Sequence, residues 1–230
     1  SPDYPDASTK KNRQTNSRFG SGIARTEIRG GTIHVVYGGS NKKGNISTTA
    51  LSVYEGSDDT CPMKVEQTYG GGKDAPIDGE VVVELACAKG IEEIFGGAKN
   101  ADINADIDLR VTNGSALKRV FGGNNTSGAI NGSITVTIEE GGCEPIRIDE
   151  LYLGGYLAPY SVYGYEMNND GTYKYKEGAT DEEGNSINER IPLTSGNNPK
   201  QDPRINVISA THIGNIFGGG YKAKLVGNPD

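Results

Sequence analysis

The segment from residue 91 to residue 125, IEEIFGGAKNADINADIDLRVTNGSALKRVFGGNN, states one pattern twice. Ile91, Ile94, Phe95, Gly96 and Gly97 return 26 residues later as Leu117, Val120, Phe121, Gly122 and Gly123. The same unit occurs at Ile33, Val36, Tyr37, Gly38 and Gly39, and more weakly at Val65, Thr68, Tyr69, Gly70 and Gly71. It recurs at Ile148, Leu151 and Tyr152, where Leu153 precedes Gly154 and Gly155, and at Ile213, Ile216, Phe217, Gly218 and Gly219. From aromatic to aromatic the steps are 32, 26, 26, 31 and 65 residues. A fixed minimum with irregular excess is what a solenoid with loop insertions produces.

Two further features recur in phase. Ile46, Ile77, Ile103, Ile130 and Leu225 follow their aromatics by eight or nine residues. Alternating runs come next: Val81, Val83 and Leu85 correspond to Ile107, Leu109 and Val111, then to Ile134, Val136 and Ile138. Period-two alternation of β-branched residues predicts strands with one buried face, and no stretch carries a helical period. Each coil therefore holds a short strand ending in an aromatic, a Gly-Gly bend, an isoleucine step and a longer strand. The chain has 34 glycines in 230 residues, about twice the usual ~7%. Their regular placement assigns them to bends that require positive φ. The fold expected is all-β: a single right-handed parallel β-helix of about six coils over residues 19–230, with one long insertion at 156–203. The polar segment 1–18 is expected to be a flexible end.

Stacking at about 4.8 Å per coil yields finer expectations. Tyr37, Tyr69, Phe95, Phe121, Tyr152 and Phe217 form one column, each buried ring contributing roughly 1.5–3 kcal/mol. Glu84 faces Arg110 as an exposed ion pair, and Asp78, Asn104 and Asn131 form a polar column. Three cysteines rule out a disulfide scaffold. Cys61 and Cys87, 26 residues apart, are either two buried thiols or a stacked disulfide, since the expected spacing falls within the roughly 4.4–6.8 Å disulfide range.

The repeat resembles that of right-handed parallel β-helix proteins of the pectin-lyase-like class, and most of all Gly-Gly-rich, adhesin-like bacterial surface and secreted proteins. The resemblance covers about residues 19–155 and 204–227. It implies a rigid scaffold; it does not imply an activity, because that class includes lyases, hydrolases and non-catalytic adhesins.

The insertion holds Tyr156, Tyr160, Tyr163, Tyr165, Tyr173 and Tyr175 within twenty residues. A hairpin from near Tyr163 through a turn at 168–171 and back to Lys176 fits the alternation of 173–176, with a further loop at 181–185. Tyrosine offers a flat apolar face and a hydroxyl, suited to a sugar ring or a partner protein. The plain alternative is that these rings pin a long loop to the solenoid wall.

Chemistry is sparse. Asp78, Glu80, Asp106 and Asp108 fall on adjacent coils, where like charges near 5 Å need a cation such as calcium, a proton or solvent screening. No lyase or hydrolase set is complete. His34 points outward and His212 sits at a corner, neither with a nucleophile. Gly-Gly-x-x-Asn precedes no helix, which discards a phosphate loop, and the threonines are too few for an ice-binding array. A net charge of −7 with scattered lysines argues against nucleic acid, and no apolar run is long enough to span a membrane.

The function expected is a non-catalytic, extracellular or cell-surface structural and binding module that recognises a glycan or a surface protein, with no cofactor. The alternatives are a polysaccharide lyase or glycoside hydrolase with an unrecognised site, and a spacer of a longer surface protein. Open strand edges at the solenoid ends add self-association as a possible property.

Overall fold

The structure is a computed structural model. It describes residues 22–44, 46–55, 62–115, 117–181, 183–194 and 200–227; the segment 1–18 and Cys61 lie outside the described residues.

The described residues hold strands and no helix. In chain order these are β1 (Ile23–Ile28), β2 (Gly31–Tyr37), β3 (Thr48–Tyr54), β4 (Met63–Tyr69), β5 (Val81–Ala86) and β6 (Ala88–Lys89). Next come β7 (Ile91–Phe95), β8 (Ile107–Val111), β9 (Gly114–Ser115), β10 (Leu117–Phe121), β11 (Ile134–Glu139) and β12 (Arg147–Tyr152). The last are β13 (Tyr160–Ser161), β14 (Arg204–Ser209), β15 (His212–Phe217) and β16 (Leu225–Val226). Two six-stranded sheets dominate, ordered β1-β3-β5-β8-β11-β14 and β2-β4-β7-β10-β12-β15. All their pairings are parallel. Each sheet takes one strand from each successive repeat, an arrangement consistent with a parallel β-helix.

The register matches the repeat residue for residue. Leu51, Val83, Leu109, Val136 and Ile205 are successive partners in one sheet. Val36, Thr68, Ile94, Val120, Leu151 and Ile216 are successive partners in the other. The isoleucine step forms a third column through parallel bridges Ile46–Ile77, Ile77–Ile103 and Ile103–Ile130. Tyr160, eight residues after Tyr152, takes that position in the next repeat and pairs with Leu225. Most residues of these columns are fully buried, which is where the folding free energy of such a stack resides. The last repeat is open: Val207, Ile208, Ile216 and Phe217 are exposed.

The aromatic column is present, with neighbouring ring centroids 4.7–4.9 Å apart and nearly parallel. It lies beside the main core as a cluster of its own. Phe95 follows the core residue Ile94, and adjacent strand residues point to opposite faces. Asn125, Tyr156 and Tyr221 cover the column from the loops after Gly-Gly. Isolated aromatic pairs favour offset or edge contacts; the strand spacing imposes the stack.

Three sequence expectations are corrected. The glycines of the double-glycine bends do not have positive φ. What the bends require is space. A Cβ on Gly38, Gly70, Gly96 or Gly122 would lie 2.3–2.4 Å from the carbonyl oxygen of the residue stacked above it, well inside van der Waals contact.

Arg110 is beside Glu84 in register, but its guanidinium donates twice to Asp108, from Nε at 3.0 Å and from Nη2 at 2.7 Å. Residues two apart on one strand share a face, and the long side chain lies along its own strand rather than across to the next.

Cys87 is disulfide-bonded to Cys143 and not to Cys61. The loop after β11 folds back over the corner between β8 and β9, where Gly141 N–H donates to Thr112 O and Asn113 Oδ1. That brings Cys143 within 5.6 Å of Cys87, Cα to Cα, and Glu144 to 2.8 Å from Lys89 Nζ. Cys87 occupies a left-handed conformation there, with φ 52°.

Candidate functional site

Residues 156–163 still follow the coil pattern. The excursion leaves at Gly164 and returns at Leu193, whose N–H donates to Gly164 O at 3.0 Å. Between these points three short segments pair with one another through antiparallel bridges Met167–Tyr173, Tyr175–Arg190 and Tyr165–Pro192. Their hydrogen bonds close a ring: Lys174 N–H donates to Glu166 O, Glu166 N–H to Ile191 O, and Ile191 N–H to Lys174 O. The expected turn is at 168–171, where Gly171 N–H donates to Asn168 O. The loop at 181–185 is built on Asp181, whose Oδ1 accepts the N–H groups of Glu183 and Asn185 at 3.0 and 2.8 Å. Those bonds hold its carboxyl below the ordinary range, with the Asn185 side chain the largest cause.

The excursion is fastened to the isoleucine face by buried polar anchors. Tyr165 is 5% exposed, and its hydroxyl accepts from Ile130 N–H at 3.0 Å while donating to Ile130 O at 2.9 Å. One phenol thus satisfies both backbone groups that a further strand would have engaged. Burial pushes the Tyr165 and Tyr160 hydroxyls well above the usual phenol range, and Tyr160 donates to Gly132 O at 3.0 Å.

Arg190 is the second anchor. Its Nη2 donates to Asn104 Oδ1 at 2.8 Å, and its guanidinium lies 3.7 Å from the centre of the Tyr173 ring. Its Nε sits 3.1 Å from Asp102 Oδ2 but without a hydrogen-bonded N–H, so that attraction is coulombic. Burial raises the Asp102 carboxyl above its ordinary value, and Arg190 and the Ala129 N–H offset part of this. Asn104 also donates to Asp78 at 2.7 Å, and Asn131 donates to the Tyr173 hydroxyl. The expected Asp78, Asn104 and Asn131 column is therefore the strip onto which the excursion docks.

The six tyrosines divide accordingly. Tyr160, Tyr163 and Tyr165 are buried, Tyr173 is half-buried against Arg190, and Tyr175 is exposed. Tyr156 lies on the other side, stacked on Tyr221 with the Arg119 guanidinium 5.3 Å from its ring centre. Tyr165 and Tyr173 pin the excursion, whereas Tyr160 and Tyr163 precede it, with Tyr160 in a coil column.

The outward carboxylates are dispersed among partners. Asp78 accepts from Asn104, Asp106 accepts from Ser133 N–H at 2.7 Å, and Asp108 holds Arg110. Glu80 lines the same shallow groove as Asp106 and Asp108. A cation bound there would have to replace these bonds. Among the described residues no three His, Cys, Asp or Glu side chains are grouped as for a metal ion. His34 is exposed with Nδ1 3.0 Å from Glu66, and His212 begins β15.

A concavity of about 480 Å³ lies where the excursion's 181–188 loop overhangs the loops that follow Gly-Gly in three successive repeats. The excursion contributes Asp181, Asn185, Ser186, Ile187 and Asn188; the solenoid contributes Lys42, Lys43, Lys73, Asp74, Asn100 and Asp102, among others. The loops are held in step by Asp74 N–H donating to Asn41 O and Asn100 N–H to Lys73 O. This juxtaposition brings Lys73 to the consecutive pair Lys42 and Lys43, 30 residues earlier in the chain. Neither the lysines nor Asn100, Asp102 and Arg190 stand out in the sequence as functional residues.

Comparison with known proteins supplies no relative: no family model, no curated protein and no solved structure matches the chain. No helix among the described residues is long and apolar enough to cross a membrane.

Proposed function

We propose that the chain is a non-catalytic binding module, secreted or displayed on a bacterial surface, that resembles adhesin-like β-helix proteins. The solenoid is a right-handed parallel β-helix of about six coils, and its excursion and the adjoining loops recognise a glycan or a partner protein. The carrying observation is the cleft of about 480 Å³ walled by both units. Its overhanging wall is fixed by the buried Arg190–Asp102 pair and the Tyr165–Ile130 bonds. A wall held this way loses little freedom on binding, which favours affinity without motion. The lining mixes amide, hydroxyl, ammonium and carboxylate groups, the chemistry of saccharide or peptide recognition. The Cys87–Cys143 disulfide supports an oxidising compartment outside the cytosol. The open face at Ile208, Ile216 and Phe217 supports self-association or a further stacked unit.

The test is a glycan-array and surface-protein binding screen of the whole chain beside Asn188→Trp, which fills the cleft from its exposed rim. Binding by the parent chain and its loss in the variant are expected. Binding unaffected by the indole would place recognition elsewhere, and turnover of any polysaccharide by the parent chain would favour a lyase or hydrolase instead.

A further inference from the structure

The two ends of the solenoid differ. In the last coil β14, β15 and β16 each bond to one neighbouring strand. On their outer sides a row of N–H and C=O groups has no strand partner among the described residues. The side chains there are bare as well: Ile208 is 63% exposed, and Val207, Phe217 and Tyr221 are exposed beside it. Val36 opens the column that Ile216 closes, yet Val36 is 5% exposed and Ile216 51%. The bare apolar column end is therefore at the tail and not at the head.

Sheet edges are commonly blunted by lysine, proline or inward-pointing charge. The strands RINVIS and HIGNIF, β14 and β15, have none of these. A bulge at Ile208 is the one interruption. Their inward positions, Ile205, Val207, Ile213 and Ile216, are all apolar. Their basic side chains, Arg204 and His212, stand at the first position of each strand, and Arg204 is bonded to Asp202.

The geometry points to a second copy of this chain as the partner, docked tail to tail about a two-fold axis. The occupant must offer both open strand edges and bare column ends of the same width. The tail of another copy offers both, whereas the head is already covered at Val36. A two-fold axis crossing the solenoid reverses the strands, so the edges pair antiparallel. Arg204 and His212 then fall at opposite ends of each strand pair, and the strands bring no like charges face to face. Six-residue strands are about 20 Å long, so two such ends bury on the order of 1,000 Å² in total, near the lower bound for a specific interface. The dimer is accordingly reversible and depends on concentration. It rests on the self-association proposed above and is independent of the cleft and its ligand.

Sedimentation equilibrium of the whole chain, from about 1 μM to about 200 μM, reads the assembly state. The expected mass rises from monomer to dimer and stops there, because a two-fold contact closes on itself. Ile216→Lys puts an inward charge on the edge, and Ile208→Lys adds one at the barest apolar position; each enters the contact twice. Both are expected to weaken dimerisation at least about tenfold, with the melting curve showing that the variant is folded. Ile208 packs least, so its variant decides the matter if Ile216→Lys does not fold. Ile23→Lys, at an exposed position of the first coil, should leave the dimer unchanged. A monomer at every concentration would overturn the proposal and leave the binding role of the cleft standing. Masses climbing beyond the dimer would overturn the two-fold contact in favour of a head-to-tail stack. A dimer that survives Ile208→Lys in folded protein, or that is lost in Ile23→Lys, would overturn the assignment to the tail.

Discussion

The solenoid and its excursion use glycine for opposite reasons. In the solenoid, Gly70, Gly96 and Gly122 have ordinary φ and no room for a side chain. In the excursion, Gly171, Gly178 and Gly184 have φ between 70° and 83° and nothing within 4 Å of where a Cβ would lie. The first set lets stacked backbones close to hydrogen-bonding distance; the second lets isolated turns reverse the chain. The excursion repeats nothing, and its position depends on a few buried polar anchors instead of a column.

The largest effect expected is at Gly96→Ala. The new methyl would sit 2.4 Å from Gly122 O and 2.7 Å from Ile107 Cγ2, with neighbours above and below that cannot yield. A loss of at least about 3 kcal/mol is expected, by analogy with severe overpacking, measured by denaturant unfolding. Tolerance of this change would break the distinction between the two regions.

Next is Arg190→Met, which leaves Asp102 buried and unpaired and is expected to cost about 3–5 kcal/mol. Hydrogen exchange should show the loss in residues 164–193 while the strand columns stay protected. Asp102 also gives the excursion a pH dependence of definite sign. Its carboxyl titrates above its ordinary value when folded, so its contribution is full below the unfolded pKa and is lost as pH rises through the folded one. Asp102→Asn should flatten that part of the profile when excursion opening is followed by exchange.

Removing the disulfide with C87S/C143S frees a loop spanning 56 residues and should cost about 2–4 kcal/mol, read as a lower melting temperature. Gly171→Ala should cost only about 1–2 kcal/mol, the penalty of left-handed backbone for a residue with Cβ. Smallest of all, Glu84→Gln should leave the melting temperature unchanged, because Asp108 already holds Arg110.

Much of the solenoid is legible in its sequence because each coil repeats the same physical problem. The 26-residue return of Phe95 at Phe121 becomes ring stacking at 4.7 Å, and the isoleucine step becomes a ladder of bridges. Two features follow the same logic and become visible only when residues are compared down columns. Tyr160 occupies an isoleucine position, and Cys143 shares the corner of Cys87 two repeats later. Lys73 of the cleft belongs here too: it lies 30 residues after Lys43 and meets the Lys42–Lys43 pair because their loops stack.

The docking of the excursion is a different case. Arg190 reaches Asp102 and Asn104 across 88 and 86 residues, and nothing in its surroundings announces a buried cation. Tyrosine density correctly marks an unusual segment, but it does not say which rings face inward; that is decided by unpaired backbone groups such as those of Ile130.

Column stacking is tested most directly by nuclear Overhauser contacts in protein carrying labelled phenylalanine on an otherwise deuterated background. The rings of Phe95 and Phe121 lie 4.7 Å apart, whereas Tyr152 separates Phe121 from Phe217. The account predicts strong ring-to-ring contacts between Phe95 and Phe121 and none from either to Phe217. Absence of the first contact, in folded protein, would contradict it.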